Sequence, residues 1–151
     1  MEKATELGVA RIVPIDAERT EKGLAMAAKK RVERWKKIAR ESSQQARRVR
    51  MSEIVPPEAL EQALSDRSPY RYFLEEQPGA EALARALPAD RRPEDAIAIL
   101  TGPEGGWTDR ERALAVRGGW KPVSLSSNIL RTETAAIAAL SILSHAWHNQ
   151  S

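Results

Sequence analysis

The stretch Ala96-Ile97-Ala98-Ile99-Leu100-Thr101-Gly102-Pro103-Glu104-Gly105-Gly106-Trp107-Thr108-Asp109-Arg110-Glu111 decides the fold class. Its first five residues are continuously apolar, the pattern of a central strand buried on both faces. Thr108 and Glu111 are spaced as a capping box for a helix running to Arg117, where Gly118-Gly119 ends it. Between strand and helix lies a loop containing Gly102, Gly105 and Gly106. Strand, glycine loop and helix N-terminus in that order expose backbone N–H groups to a ligand. The loop is not a P-loop, because no Gly-Lys-Ser/Thr follows, and it is not a Gly-x-Gly-x-x-Gly dinucleotide fingerprint. By itself it reads first as a tight turn.

Downstream, Pro122-Val123-Ser124-Leu125-Ser126 reads as a short strand and Ala135 to Trp147 as a helix apolar on nearly every face. Such a helix belongs in a core or a subunit interface. Asn128-Ile129-Leu130-Arg131-Thr132-Glu133-Thr134 joins the two, with polar groups that need partners, since an unsatisfied buried one costs on the order of 1–3 kcal/mol. Thr132 and Thr134 either cap the helix or meet a ligand. Upstream, Tyr70 to Leu74 is a strand rich in aromatics. Glu53 to Val55 is a strand stopped by Pro56-Pro57, and a proline-started helix follows from Pro57 to Leu64. Val9 to Ile15 is a strand with Pro14 near its end, preceded by a helix end from Lys3 to Leu7 that Gly8 closes. Asp16 to Gly23 is a polar loop, and Gln77 to Arg92 holds a short helix at Ala80 to Leu87. Strands alternating with helices predict an α/β domain with a mainly parallel sheet. In such sheets ligands sit outside the carboxyl ends of the strands, so the loop after Leu100 and the Ser126 to Thr134 segment should converge on one pocket.

Charge is unevenly placed. Ten Lys or Arg stand against two Glu between Met26 and Met51, a local balance of +8 within a chain of net charge +3. Ala28, Val32, Trp35, Ala39, Ser42 and Ala46 form one helical stripe there, with the basic residues mainly off it. A basic face of this kind is either a solvated helix surface or a surface that meets a polyanion such as RNA, with Arg34, Lys37 and Arg40 as phosphate contacts. Glu41, Gln45 and Arg48 follow i, i+4, i+7 spacing along one edge.

The remaining features set bounds. A chain of 151 residues is one domain by length, and the absence of cysteine excludes a disulfide framework. With no charged-then-apolar leader, a cytoplasmic setting is expected. The apolar run Ala135 to Leu143 is too short to span a bilayer. His145 and His148 read as surface residues, and no metal is expected.

Four blocks carry a resemblance. Lys3-Ala4-Thr5-Glu6-Leu7-Gly8-Val9, Glu41 through Arg48, Thr101-Gly102-Pro103-Glu104-Gly105-Gly106 and Ile129-Leu130-Arg131-Thr132-Glu133-Thr134-Ala135 resemble, in order and spacing, the RsmE family of 16S ribosomal RNA uridine-N3 methyltransferases of the SPOUT superfamily. The resemblance implies a SPOUT-type α/β fold over residues 1–151, a mainly parallel sheet with helices on both faces, a C-terminal trefoil knot, a homodimer and S-adenosylmethionine as cofactor. Two departures stand out. Leu125-Ser126-Ser127-Asn128 replaces the family's usual Leu-Gly-Pro-Arg, and the family's N-terminal RNA-binding β-barrel and first strand have no counterpart before Lys3.

Carried over by motif, Leu100, Thr101, Gly102 and Gly105 would line one side of the cofactor, and Leu125, Ser126, Ile129 and Leu130 would enclose its adenine. Arg131, Thr132 and Glu133 would lie near the cofactor and the target base, while Glu41, Gln45 and Arg48 would form a polar edge facing the site. Methyl transfer to uracil N3 releases a proton, for which Glu133 is the acceptor by motif, with Arg131 stabilising the oxygen that gains charge. N3 lies on the Watson–Crick edge, so the base must be unpaired or flipped. Two alternatives remain at this level: a non-catalytic RNA-binding or dimerisation module of the same fold, and a SPOUT ribose 2′-O-methyltransferase.

Overall fold

A computed structural model describes residues 2–20, 24–45 and 52–148. Helix α1 (Glu2–Glu6) leads to the two-residue strands β1 (Arg11–Ile12) and β2 (Ile15–Asp16), then to the long helix α2 (Leu24–Gln45). Strands β3 (Glu53–Ile54) and β4 (Glu58–Ala59) precede helix α3 (Leu60–Leu64) and strand β5 (Tyr70–Leu74). The rest is β6 (Glu81–Ala82), α4 (Leu83–Ala86), β7 (Ile97–Leu100), α5 (Asp109–Arg117), β8 (Lys121–Ser124) and α6 (Thr132–His148).

The main sheet has four strands in the order β6-β8-β5-β7, every pair parallel. Strand β5 shows how it is buried. Its side chains alternate faces, so Phe73 enters one core with Leu60, Leu64, Leu100, Trp107, Ala115 and Trp120, while Tyr72 and Leu74 enter another with Leu83, Val123, Ala139, Leu143 and Trp147. The first core is closed by α3 and α5, the second by α4 and α6. Helices therefore cover both faces, as the family resemblance implied. The buried indoles of Trp107 and Trp120 donate to the carbonyls of Leu74 (3.0 Å) and Leu64 (3.1 Å), which satisfies their polar atoms.

The helix α5 starts and ends where its caps predicted, with both halves of the Thr108–Glu111 box formed and Gly119 at φ 81 just beyond. Other expectations need correction. The run Ala96 to Leu100 reads as a central strand, but β7 is the edge of the four-stranded sheet and only Leu100 is fully buried; β8 and β5 hold the centre. The strand expected over Val9 to Ile15 is split into β1 and β2, paired with β3 and β4. Prolines lie at the break on both sides, Pro14 on one and Pro56-Pro57 on the other, and none can donate to the ladder. The ladder continues around them through Val55 N–H to Ile12 O and Glu58 N–H to Pro14 O. For the same reason the helix expected from Pro57 begins only at Leu60, after β4. The helix expected over Ala80 to Leu87 is the single turn Leu83–Ala86.

Helix α6 is apolar but not wholly buried. Ala139, Leu143 and Trp147, at intervals of four, face the core, whereas Ile137, Ser141 and His145 are exposed. Its C-terminal end is held by Trp147, whose indole donates to Asp95 and stands edge-on to Tyr70 at 5.6 Å. No helix among the described residues is long and apolar enough to cross a membrane.

Candidate functional site

Three parallel strands, β5, β7 and β8, point their carboxyl ends the same way, and the loops that leave them meet in one open cleft. Each wall comes from a different loop. Leu74, Glu75 and Glu76 follow β5; Thr101 and Gly102 follow β7; Leu125 to Asn128 and Leu130 follow β8, with Thr132 and Ala135 from the first turn of α6. The expected convergence of the two loops is observed.

The glycine loop is fixed from several sides. Behind it the Trp107 ring is so close that a Cβ on Gly102 would lie 3.0 Å from two of its atoms, so any side chain there would press on the buried indole. On its outer side Arg19 donates from Nη1 to the carbonyls of Gly105 (3.0 Å) and Trp107 (3.4 Å). A Cβ on Gly105 would stand 3.1 Å from Arg19 Cβ, so the loop passes close against Arg19. The neighbouring Glu18 donates its backbone N–H to the buried Glu111 (2.8 Å). The side chain of Glu18 accepts from Arg110 at 2.6 Å, a bond that holds its carboxyl below the usual range and raises the guanidinium. Both groups are exposed, so the pair is a weak tie.

The opposite wall rests on fewer contacts. Ser126 Oγ accepts from the Asn128 N–H (3.1 Å), and the Thr132 hydroxyl donates across the cleft to the Gly102 carbonyl (3.0 Å). Thr132 thus does not cap its own helix; it joins the two loops. The helix opens instead with Ala135 N–H donating to the Arg131 carbonyl (2.8 Å), and Thr134 is exposed. On the third wall, Glu75 is clamped by Arg112 (Nε to Oε2, 2.7 Å).

Of the residues singled out by motif, Thr101, Gly102, Leu125, Ser126, Leu130 and Thr132 line the cleft. Leu100 is buried at the end of β7, one residue before Thr101. Gly105 faces Arg19 rather than the cleft. Ile129 is 78% exposed, and Arg131 and Glu133 stand exposed at the rim with no side-chain hydrogen bond or ion pair among the described residues. Ser127 and Asn128 line it as well, within the Ser126 to Thr134 segment expected to converge there, while Ala135 and the Leu74 to Glu76 segment line the cleft without having been assigned to it. The signal for Leu74 to Glu76 was present, since the rule about strand carboxyl ends applies to the strand Tyr70 to Leu74 as much as to the other two.

Of the α2 stripe, Val32, Ala39 and Ser42 are buried and Trp35 is partly so, while Ala46 and the side chain of Ala28 lie outside the described residues; Lys30, Arg31, Arg34, Lys36, Lys37 and Arg40 are exposed. Glu41 is exposed and pairs with Lys37 at 3.9 Å, and it does not line the cleft. The side chain of Gln45, together with Arg48, lies outside the described residues. Among the described residues no group of three or more His, Asp and Glu is arranged to hold a metal ion.

Comparison with known proteins bears on this geometry. The family described as RNA methyltransferase domain matches residues 1–144. The chain belongs to that family. It is similar to the ribosomal RNA small subunit methyltransferase E of Aquifex aeolicus, 36% identical over 151 residues that cover 93% of this chain and 59% of the relative. The enzyme of the same description from Synechocystis is 34% identical over 154 residues, covering 90% of this chain and 45% of the relative. In three dimensions the chain is similar to ribosomal RNA small subunit methyltransferase E from Neisseria gonorrhoeae bound to S-adenosyl methionine, with TM-score 0.83, 31% identity, and coverage of 99% of this chain and 60% of that one. A Legionella pneumophila putative methyltransferase in complex with the same cofactor gives TM-score 0.82 at 34% identity, covering 96% of this chain and 59% of that one. The chain thus spans about half the length of the relatives it matches. The family resemblance read from the four sequence blocks is borne out, and so is the α/β fold it implied.

Proposed function

We propose that this chain is the methyl-transferring domain of a 16S ribosomal RNA uridine-N3 methyltransferase that uses S-adenosylmethionine. The observation that carries the reading is the cleft itself, built at the carboxyl ends of three parallel strands and tied across its mouth by Thr132 to Gly102. Leu74, Leu125, Leu130 and Ala135 offer apolar walls to a purine, while Thr101, Ser126 and Asn128 bring polar atoms to its edges. That donor set fits an adenosyl group.

When bound, the cofactor supplies an electrophilic methyl group on a sulfonium. The chain's part is to hold it against the glycine loop and to receive the base at the rim, so that donor and N3 meet in line. As N3 gains the methyl group it loses its proton, and Glu133, unpaired at the start of α6, accepts it. Arg131 answers the charge gathering on the uracil oxygen. The basic face of α2, with Arg34, Lys37 and Arg40 exposed, contacts the RNA backbone. A C-terminal trefoil knot, a cytoplasmic setting and a homodimer belong to the same reading; the half-exposed Ile137 side of α6 supports the last, as a face for a second copy.

The test is calorimetry with S-adenosylmethionine, followed by mass spectrometry of a uridine-containing 16S fragment incubated with the chain, alone and supplemented with the N-terminal domain of a full-length relative. Saturable binding and a single added methyl group at N3 are expected. Absence of cofactor binding would overturn the reading.

A further inference from the structure

The wall that leaves β5, made of Leu74, Glu75 and Glu76, is held differently from the other two. Its first two residues are secured from the sheet and from the glycine loop: Glu75 N–H donates to the Val123 carbonyl (2.9 Å), and the Trp107 indole donates to the Leu74 carbonyl (3.0 Å). Beyond them the backbone leaves the sheet, and Glu76, Gln77, Pro78 and Gly79 are exposed. The N–H groups of Glu76 (2.9 Å) and Gln77 (3.1 Å) both donate to Oε1 of Glu75, and the described residues give them no other partner. The second oxygen, Oε2, accepts from Arg112 Nε at 2.7 Å. The turn therefore hangs from one carboxylate, and the carboxylate from one guanidinium. Arg112 lies in the first turn of α5, directly after the Thr108–Glu111 cap into which the glycine loop runs, so it is placed together with that loop.

This pair is largely withdrawn from water, with the Glu75 and Arg112 side chains 7% and 19% exposed. At such burial the desolvation of two charges offsets most of their attraction, so the pair as a whole adds little net stability, although removing one partner alone strands the other. What it supplies is direction, because a short charge-assisted bond fixes the carboxylate, and the turn on it, relative to α5. We infer that Glu75 and Arg112 are positioning residues for the cleft: together they form the strut that sets the spacing between the glycine loop and the β5 wall, and through that spacing the affinity for the ligand. The inference rests on the methyl-donor reading of the cleft and deepens it. Neither side chain has to touch the ligand for the strut to act.

Melting temperature, S-adenosylmethionine affinity by calorimetry and amide hydrogen exchange, each measured on the parent, on Arg112→Met and on Glu75→Gln/Arg112→Met, test this. Arg112→Met leaves the carboxylate buried without its partner, so stability and affinity should both fall. The double variant removes the stranded charge and keeps an Oε1 acceptor for the turn, so its melting temperature should return to within a few degrees of the parent's. Its affinity should nevertheless stay roughly tenfold weaker, the scale of ordering about one further residue on binding, and amide protection at Glu76 and Gln77 should be lost. Affinity that recovers together with stability would make the pair a structural tie, and a double variant as unstable as the single one would make it a net stabiliser; either result overturns the inference, as does parent-like affinity in Arg112→Met. If the parent binds no S-adenosylmethionine, the methyl-donor reading falls by itself. The exchange measurement needs no ligand and still decides on the strut, which parent-like protection in the double variant would overturn.

Discussion

The two loops that face each other across the cleft are built differently. The Thr101 to Trp107 loop is held by a buried indole behind it, an arginine outside it and a capped helix after it. The Ser126 to Arg131 loop leaves Ser126, Ser127, Asn128, Ile129 and Arg131 exposed and is tied down chiefly at its end, through Thr132. One wall is formed before any ligand arrives. The other is tied at fewer points. Preorganisation of this kind lowers the ordering cost of binding on one side and leaves adaptability on the other. The comparison predicts that damage to the first wall registers as lost stability, and damage to the second as lost function at nearly constant stability.

The largest expected effect is Trp107→Ala. The ring is 4% exposed, its N–H satisfies the Leu74 carbonyl, and it fills the space against Gly102. Removal should cost about 3–5 kcal/mol in chemical denaturation and abolish cofactor binding with the fold. A loss below about 1 kcal/mol would show that the first wall is not supported from behind, because a filled cavity of this size does not collapse freely.

Second come Arg131→Ala and Glu133→Gln at the rim. Neither side chain bonds to the rest of the described structure, so the melting temperature should hold and cofactor affinity should stay within a few-fold. Single-turnover transfer to a uridine-containing RNA should fall by roughly 10²-fold, the scale of losing a general base or a charge-stabilising group. A normal rate in Glu133→Gln would end its candidacy as proton acceptor. A lowered melting temperature in both variants would instead make them structural.

Much of this contrast was legible along the chain, and what was legible was local. The Thr108–Glu111 box depends on residues three apart, so the sequence states it outright, and the strand Tyr70 to Leu74 follows from its composition. Motif order was enough to find the family and six of the residues that line the cleft. Strand order was not readable. Ala96 to Leu100 is as apolar as a central strand, yet whether it lies at the centre or the edge depends on where β8 inserts, a matter settled by contacts distant in sequence. Arg19 was hidden for the same reason. It lies in a stretch that reads as polar loop, and its role appears only when Gly105 is brought to it from 86 positions away. Glu75 and Glu76 were missed because no glycine or hydroxyl marks the end of β5.

Third, Thr132→Val removes the hydroxyl that spans the two walls while keeping the shape of the side chain. The loss of one hydrogen bond, with the Gly102 carbonyl left to water, should cost about 1 kcal/mol. If the second wall is adaptable, cofactor affinity should drop by more than this stability change alone implies, because the wall then has to be ordered by the ligand itself. Calorimetry and denaturation on the same variant give both numbers. An affinity loss no greater than the parent's scatter would mean that the walls are positioned independently.

The smallest effect lies on the outside of the first wall, in the Glu18–Arg110 pair. Hydrogen bonding to Arg110 holds the Glu18 carboxyl below its ordinary value in the fold. A depressed carboxylate stabilises the native state above its unfolded pKa, and that contribution disappears as pH falls through the lower, folded value. The pair therefore counts at neutral pH and is lost on acidification, starting near the ordinary glutamate value and finishing below it. Both side chains are exposed, so the increment is small and salt weakens it further. Melting curves of the parent and of Glu18→Gln, taken from about pH 6 downward at low salt, should differ slightly at the upper end and converge as Glu18 protonates. The backbone bond from Glu18 to Glu111 survives in the variant, so the glycine loop should stay in place and cofactor affinity should not change. A constant gap between the two curves would mean that the carboxylate's charge plays no part, and that Glu18 supports the loop through its backbone alone.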